Sequence, residues 1–264
     1  MKVTLSTLRK MRAEQQPIVA LTAYDYTFAR AVDAAGIDVV LVGDSLGNVI
    51  QGHGSTVPVS VEDIVYHCQC VSRGLDRALL MADLPFLSYA DEATAIDSAA
   101  ALMKQGGAQM VKLEGTQDQA AIVKALTIAG VPVCAHIGLQ PQLVDKLGGF
   151  KVQGKDVASA DRIVEDACAL EAAGADLLLV ECVSAPVAER IRAAVELPLI
   201  GIGAGVNCDG QVLVLQDVLG ITQGRVPRFS RNFMPHGSSI AGALSAYAEA
   251  VRARSFPDAN ECFE

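Results

Sequence analysis

The stretch "VVLVGDS" (39–45) joins four aliphatic residues to a glycine, an aspartate and a serine. A run of branched aliphatic residues is typical of a strand that is buried on both faces of a parallel sheet. The aspartate is unexpected there, because an uncompensated buried charge is strongly unfavourable. Three further apolar runs also end in charged residues: "LLMADLP" (79–85), "MVKLEG" (110–115) and "LLLVECV" (177–183). The same combination of buried strand and terminal charge therefore recurs along the chain.

A longer phrase surrounds these runs: a helical stretch, a glycine, a short apolar run and a polar residue. It occurs as "AAGIDVVLVGD" (34–44), "QGGAQMVKLEG" (105–115), "IAGVPVCAHIG" (128–138) and "AAGADLLLVEC" (172–182). The glycine suits the left-handed conformation that ends many helices, and the apolar run predicts a parallel strand. The chain is therefore built from repeated strand–helix units.

Counting these units predicts eight strands with helices between them. The predicted strands are 17–24, 38–44, 78–84, 109–115, 132–138, 176–182, 197–203 and 211–216. The predicted helices are 26–35, 61–73, 91–106, 117–129, 157–173, 185–195 and, less sharply bounded, 237–254. This number of units in 264 residues favours a single (β/α)₈ barrel domain over 1–264. A doubly wound open sheet is the alternative, but its glycine-rich loop would be "LIGIGAGVNCDG" (199–210), late in the chain.

Three segments lie outside the regular alternation. Residues 4–14 predict an extra N-terminal helix that covers the bottom of the barrel. The glycine-rich stretches 45–60 and 139–161 both follow strands, so in a barrel they lie at the C-terminal face, where active sites are built. Loops of this length are usually lids or binding loops, although simple surface excursions are the alternative.

Composition excludes several classes of protein. The apolar runs are much shorter than the roughly 20 residues of a membrane span, and the N-terminus has no apolar core of a signal peptide. A net charge of −9 argues against nucleic acid and anionic membranes as partners. The seven cysteines have no framework spacing and are expected to be reduced thiols. We therefore expect a cytoplasmic protein that acts on small molecules.

A barrel brings the ends of all strands to one mouth, where four acids would converge: Asp44, Asp83, Glu114 and Glu181. Side chains alternate along a strand, so Lys112 and Glu114 share one face, and Val111 and Leu113 the other. The apolar pair is expected to pack against helices, which directs the lysine and the glutamate into the barrel. By the same alternation, Cys134 and His136 share a face of the fifth strand.

Each of these residues has a structural explanation when it is taken alone. Asp44 and Asp83 can cap turns, Lys112 and Glu114 can form a structural ion pair, and a lone histidine is usually a core residue. Glu181 can interact with a helix dipole. Together, however, the clustered carboxylates repel one another unless a cation compensates them.

Oxygen ligands without a cluster of cysteines or histidines point to Mg²⁺ or Mn²⁺. Such an ion leaves positions open for a chelating 2-oxo acid, and Lys112 could neutralise the remaining charge of that acid. Polarisation of the ketone acidifies the adjacent C–H, which a spare carboxylate can then deprotonate. The stretch "GIGAG" (201–205) is a weaker signal that predicts either a phosphate-binding loop or a simple tight turn.

Eight motifs in one order make the pattern specific. They are "TAYDYTFA" (22–29), "LVGDSLGNVIQGHGST" (41–56), "LLMADLPFLSYA" (79–90), "MVKLEG" (110–115), "PVCAHIGLQPQ" (132–142), "GGFKVQG" (148–154), "LLVECV" (178–183) and "IGIGAG" (200–205). From about residue 3 to about residue 235 the chain closely resembles the ketopantoate hydroxymethyltransferase family. The resemblance implies a (β/α)₈ barrel of the phosphoenolpyruvate/pyruvate type, dependent on Mg²⁺ and assembled as a homodecamer.

The implied reaction is the first committed step of pantothenate biosynthesis. A hydroxymethyl group passes from 5,10-methylenetetrahydrofolate to 3-methyl-2-oxobutanoate and gives 2-dehydropantoate. The resemblance also implies a role for each site residue. Asp44 and Asp83 bind metal and substrate, and Glu114 is the third metal-site acid, directly or through water. Ser45 and Lys112 hold the oxo acid, His136 lies near its carboxylate, and Glu181 is the general base.

The chain departs from the family pattern at Gly54, where aspartate is frequent, and at Phe150, where tyrosine is frequent. Both positions lie in the long loops, so they affect loop contacts rather than the metal and base assignments. Two alternatives stay open: a C–C lyase or mutase of the same barrel superfamily, and a barrel that binds ligands without chemistry. The lyases typically carry a cysteine in a "KKCGH"-like loop, which this chain lacks.

Overall fold

The computed structural model describes residues 2–149, 151–224 and 226–263, and in them eight parallel strands close into a barrel in chain order. The strands are β1 (Ile18–Thr22), β2 (Val39–Val42), β3 (Leu79–Asp83), β4 (Met110–Glu114), β5 (Val133–Gly138), β6 (Leu177–Glu181), β7 (Leu199–Ile202) and β8 (Gly210–Leu213). The predicted barrel is confirmed. The eighth strand ends earlier than expected, because a short helix begins at Leu215.

Helices connect the strands and form the outer layer. They are α1 (Leu5–Ala13), α2 (Tyr26–Ala34), α3 (Leu46–Val49), α4 (Val61–Ser72), α5 (Glu92–Lys104), α6 (Ala120–Ile128), α7 (Val144–Leu147), α8 (Val157–Ala172), α9 (Ala185–Ala194), α10 (Leu215–Val218), α11 (Met234–Gly237) and α12 (Ile240–Arg252). Single 3₁₀ turns lie at Gln117–Gln119, Pro141–Leu143 and Ala259–Glu261. None of these helices combines the length and apolar character needed to cross a membrane.

Most of the long helices begin at a capping side chain, which explains why their starts could be predicted. Ser60 accepts from the backbone N–H of Asp63 at the start of α4, and Asp156 accepts from that of Ser159 at the start of α8. The last helix, α12, begins at Ile240 behind Ser239, three residues later than predicted. The two long glycine-rich stretches are partly helical, since α3 and α7 lie within them.

Alternation along the strands separates the barrel interior from the helix layer. Val111 and Leu113 belong to the core between strands and helices, as predicted. The opposite faces form a second apolar core inside the barrel, whose members include Leu79, Met81, Met110, Cys134, Leu177 and Leu179. On each of these strands, the next inward-facing position toward the C-terminal end is occupied by a polar residue. The interior is therefore apolar below and polar at the mouth.

The N-terminal helix α1 closes the bottom of the barrel, as predicted, because Leu8 joins the interior core. Arg12 extends from this helix to the carboxylate of Asp209, at 3.2 Å, and to the carbonyl of Val195. Asp209 also pairs with Arg192 at 2.7 Å. Asp38, which precedes β2, is buried and holds Arg77 at 2.5 Å. We call Arg12, Arg77, Asp38, Asp209 and Arg192 the basal ion-pair network.

Candidate active site

The mouth of the barrel collects the charged residues that the sequence placed at strand ends. Asp83, Lys112, Glu114 and His136 lie on β3, β4 and β5 and are 2–4% exposed. Glu181 ends β6 and its side chain is 14% exposed, while Asp44 follows β2 by two residues and is 4% exposed. The predicted convergence of the four acids at one mouth is thus present in the structure.

Asp83 links the second, third and fourth strands. Its Oδ2 accepts a hydrogen bond of 2.9 Å from the backbone N–H of Asp44, and its Oδ1 lies 2.7 Å from Nζ of Lys112. Oδ1 is buried and has no aligned hydrogen bond beyond this ionic contact. Burial alone would lower the pKa of Lys112, but the surrounding carboxylates, Asp83 first, outweigh it and raise that pKa. Lys112 is therefore a permanent buried cation.

His136 lies between the lysine and the acids. Its Nδ1 is 3.5 Å from Nζ of Lys112 and 3.6 Å from Oε1 of Glu114. Its Nε2 is 3.3 Å from Oε2 of Glu181, at an angle that leaves this buried nitrogen without an aligned hydrogen bond. Burial and the charge of Lys112 lower the pKa of His136 well below its ordinary value. The ring is therefore neutral at physiological pH.

If all the carboxyl groups were ionised, they would carry more negative charge than the protein compensates, and the pKa values of Asp44, Glu114 and Glu181 are raised accordingly. Burial, followed by repulsion from Asp83, raises the pKa of Asp44 to about 7. Burial and repulsion from Asp44 raise the pKa of Glu114 well above its ordinary value. Burial raises the pKa of Glu181 to about 8, although Lys112 opposes the shift. In the described part of the chain, four acids thus face one lysine and a neutral imidazole.

The excess of acidic over basic side chains at the mouth raises the question of whether a divalent cation would fit there. The raised pKa values of Asp44 and Glu114 indicate positions where added positive charge would be favourable. In the described ranges, no group of three or more acidic, histidine or cysteine side chains is arranged so that it could hold a metal ion by itself. Mg²⁺ does not need one, because it commonly takes one or two carboxylates and completes its shell with water and substrate. The residues therefore fit an open Mg²⁺ site.

Gln142 is a site residue that sequence reasoning did not identify. It lies in the 3₁₀ turn Pro141–Leu143 and is 3% exposed. Its side-chain amide donates to Asp44 at 2.8 Å and to the carbonyl of Leu84 at 3.0 Å, and its backbone N–H donates to Glu114 at 3.0 Å. The motif "LQPQ" contains this residue, but nothing in its spacing indicates that the loop turns back into the barrel.

Two weaker expectations have different outcomes in the geometry. Ser45 lies at the mouth and its Oγ is 2.8 Å from the hydroxyl of Tyr24, so its role toward substrate stays a prediction.

The glycine loop 201–205 is covered by aromatic side chains, since a Cβ on Gly203 would lie 2.7 Å from the ring of Phe229. This packing favours the tight turn over the phosphate-binding loop. Gly54 is exposed, and Phe150 lies outside the described residues.

The closed barrel of eight parallel strands is also found in solved structures of other proteins. It is similar to the phosphoenolpyruvate phosphomutase of Streptomyces platensis subsp. rosaceus, with a TM-score of 0.63, 14% identity and 82% of each chain covered. It is also similar to 2,3-dimethylmalate lyase, a member of the PEP mutase/isocitrate lyase superfamily, with a TM-score of 0.60, 15% identity and 81% of each chain covered. These likenesses establish the fold alone.

Sequence comparison gives the family. The family model described as "Ketopantoate hydroxymethyltransferase" matches residues 2–259. The chain is 60% identical to the 3-methyl-2-oxobutanoate hydroxymethyltransferase of Alkalilimnicola ehrlichii, covering 99% of this chain and 94% of the relative. It is 56% identical to the enzyme of the same name from Marinobacter nauticus over the full length of both. The chain belongs to the ketopantoate hydroxymethyltransferase family.

Proposed function

We propose that the protein transfers a hydroxymethyl group from 5,10-methylenetetrahydrofolate to 3-methyl-2-oxobutanoate and so forms 2-dehydropantoate, the first committed step of pantothenate biosynthesis. One observation carries the chemistry: a mostly buried glutamate with a pKa raised to about 8 lies at the same mouth as a buried ammonium group. A base of this pKa suits removal of a proton from carbon near neutral pH. The ammonium suits an anionic oxo acid.

The chain's own residues account for each part of the reaction. Lys112 binds the carboxylate of the oxo acid, and Glu181 takes the proton from C3, which leaves the electron pair of that C–H bond on C3. Nε2 of His136 lies 3.3 Å from Oε2 of Glu181, on the same side of the mouth. A new C–C bond then forms between C3 and the methylene carbon of the folate donor. The two bonds from that carbon to N5 and N10 of the donor break, and one water supplies the hydroxyl oxygen. N5 and N10 take up the proton removed from C3 by Glu181 and one proton of the water, which gives tetrahydrofolate.

Mg²⁺ is the proposed cofactor, with Mn²⁺ as a possible substitute, and it would be held by Asp44 and Asp83, with Glu114 binding directly or through water. When bound, such an ion polarises a carbonyl group and stabilises developing negative charge. The backbone N–H of Asp44 donates to Asp83 at 2.9 Å, so the two residues are adjacent, which supports this assignment. The side-chain amide of Gln142 donates to the carboxyl group of Asp44 at 2.8 Å and so restrains its orientation.

The effect of Mg²⁺ on thermal stability is expected to increase with pH. The pKa values of Asp44 and Glu181 are raised to about 7 and about 8 in the folded protein, so without a cation the folded chain binds protons more tightly than the unfolded chain. The stability contributed by these groups is full below about pH 4 and is lost as the pH rises towards 8. A bound cation compensates the ionised acids and restores it.

Differential scanning fluorimetry with and without Mg²⁺ measures this effect. At a hundred times its dissociation constant a ligand stabilises by about 2.7 kcal/mol, which is a rise in Tm of about 5–10 °C for a domain of this size. We expect this rise near pH 8 and a much smaller one near pH 5, because protons compete for the same acids. An equal rise at both values would contradict a cation site made of these carboxyls.

Lys112→Met is expected to raise the KM for 3-methyl-2-oxobutanoate by about ten- to a hundredfold, the equivalent of about 1.5–3 kcal/mol for a lost charge-assisted hydrogen bond. The variant also leaves Asp83 without its buried partner, so stability must be followed by circular dichroism. Lys104→Met, at an exposed lysine of α5, is the matched control. If Lys112→Met unfolds while its folded fraction binds substrate normally, Lys112 is a structural ion-pair residue only.

We also propose that the protein works in the cytoplasm as a homodecamer, without nucleic-acid or membrane partners. The family resemblance supports the assembly, and the net charge of −9 supports the absence of polyanionic partners. Sedimentation velocity of the purified chain measures the assembly directly. A monomer at micromolar concentration would contradict it.

A further inference from the structure

A cavity of about 330 Å³ lies at the C-terminal face of the barrel, beside the mouth. Its walls come from the segment after β4, the segment after β5 and the first three turns of α8. Pockets for small ligands are usually of about 300–1,000 Å³, apolar with a few well-placed polar groups. The mechanism described above uses none of the side chains in this cavity.

Asp166 of α8 is the polar group that distinguishes the cavity. It is 8% exposed, and its Oδ1 accepts a hydrogen bond of 2.9 Å from the backbone N–H of Gln117. Among the described residues no basic side chain lies within 4.0 Å of this carboxylate. Arg162, one turn earlier on α8, also lines the cavity and attracts the charged form of Asp166 from a longer distance. Capping one backbone N–H requires only one neutral oxygen, as an asparagine would supply. Asp166 lines the cavity, and among the described residues only its Oδ1 accepts a hydrogen bond. A mostly buried carboxylate of this kind is suited to a ligand that brings hydrogen-bond donors.

Several of the remaining lining groups suit a flat heteroaromatic ring, and the charged side chains of Asp118 and Arg162 complete the polar part of the lining. Gln140 and Gln153 add amide groups, which can donate and accept. Ile163 provides an apolar surface, and Gly154, with a φ of +68°, leaves space that a side chain would fill, since a Cβ there would lie 3.2 Å from Ile163. A ring with polar edges and apolar faces is complementary to such a site.

We propose that this cavity binds the pterin ring of the folate donor, with Asp166 on its 2-amino-4-oxopyrimidine edge. The inference rests on the proposed function and adds the location of the second substrate. That edge carries two adjacent N–H donors, the 2-amino group and N3, which match the two oxygens of a carboxylate. Guanine has the same edge, so the chemistry is shared by pterins and guanine nucleotides.

The cavity is adjacent to the strand that carries the base. Gly138 lines it and is paired with Glu181 between β5 and β6, and Gln153, also in the lining, bridges to Val183 just beyond β6. A pterin whose pyrimidine edge is held by Asp166 on the helix layer has its opposite edge, with N5 and the transferable carbon, free to face the mouth. The two substrates then approach one another over the end of β6.

Asp166→Asn in the full-length protein tests the proposal by isothermal titration with tetrahydrofolate. Asparagine keeps the acceptor for Gln117 but loses the charge, so we expect the Kd to rise by about ten- to a hundredfold. Exchange of the C3 proton of 3-methyl-2-oxobutanoate with D₂O needs no folate and should stay within about twofold of wild type. Glu165→Gln, an exposed acid on the same helix, is the matched control and should change neither value.

Gln140→Trp is a second variant, which fills the cavity from the opposite wall and leaves Asp166 in place. Unchanged tetrahydrofolate affinity in both folded variants would overturn the proposal. Displacement of tetrahydrofolate by guanosine monophosphate at similar concentration would overturn the assignment to a folate-specific site. Absence of proton exchange in the wild-type protein would instead contradict the proposed function, which keeps the two failures distinguishable.

Discussion

Glu181→Gln is expected to bind Mg²⁺ and 3-methyl-2-oxobutanoate but to lose exchange of the C3 proton with D₂O. Glutamine has nearly the same shape and keeps an oxygen towards His136, but it cannot accept a proton from carbon. A positioned general base contributes about 10²–10⁴-fold to such a step, so exchange should fall by at least the lower value. Proton NMR of the oxo acid, with protein and Mg²⁺ in D₂O, follows the C3 signal directly.

The control for this result is Glu196→Gln, since Glu196 is an exposed acid two residues beyond the end of α9. It should exchange at the wild-type rate. Binding of the oxo acid to Glu181→Gln is measured separately by titration, so that a lost site is not mistaken for a lost base. Exchange at the wild-type rate in the Glu181 variant would mean that the base lies elsewhere, with His136 the nearest candidate at 3.3 Å.

Asp44→Asn is expected to lose substrate binding and proton exchange together, which separates its role from that of Glu181. The amide can still accept the hydrogen bond from Gln142, now 2.8 Å long, so the local fold should be retained. It contributes no charge to a cation, however. Even residues that only support metal ligands are worth about 10–100-fold in affinity or activity, so we expect at least a hundredfold weaker Mg²⁺-dependent binding, measured by calorimetry.

EDTA treatment of the wild-type protein should reproduce the Asp44→Asn result, and Mg²⁺ or Mn²⁺ should reverse it. Asp97→Asn, at an exposed position of α5, is the matched control and should behave as wild type. Full activity in the presence of EDTA, with metal absent by elemental analysis, would contradict the metal site altogether. The Asp44 carboxylate would then bind substrate by a different interaction.

The sequence predicted the barrel and most of the mouth because both depend on short-range patterns. Period-two alternation was sufficient to direct Lys112 and Glu114 inward and Leu113 outward, and the structure confirms it. Gln142 could not be predicted in this way, because its contacts depend on how a loop folds back over the barrel. Its partner Asp44 is 98 residues away in the chain. No local pattern encodes such a distance.

The helices inside the long loops were missed for a related reason. α3 and α7 have four residues each, too few for a helical period to be visible in the sequence. They are stabilised by their surroundings rather than by intrinsic propensity. Leu46 of α3, for example, is fully buried. The end of β8 was misplaced because the apolar residues of α10 continue the strand-like pattern of "QVLVLQ".

The basal ion-pair network lies at the opposite end of the strands from the reacting groups. Asp38 and Asp209 stand immediately before β2 and β8 and are tied to arginines from other elements, whereas the mouth acids are undercompensated. The stabilising ion pairs and the reactive groups therefore lie at opposite ends of the barrel. A protein engineer could strengthen the lower pole, for heat tolerance or for attachment to a support, without altering turnover at the upper one.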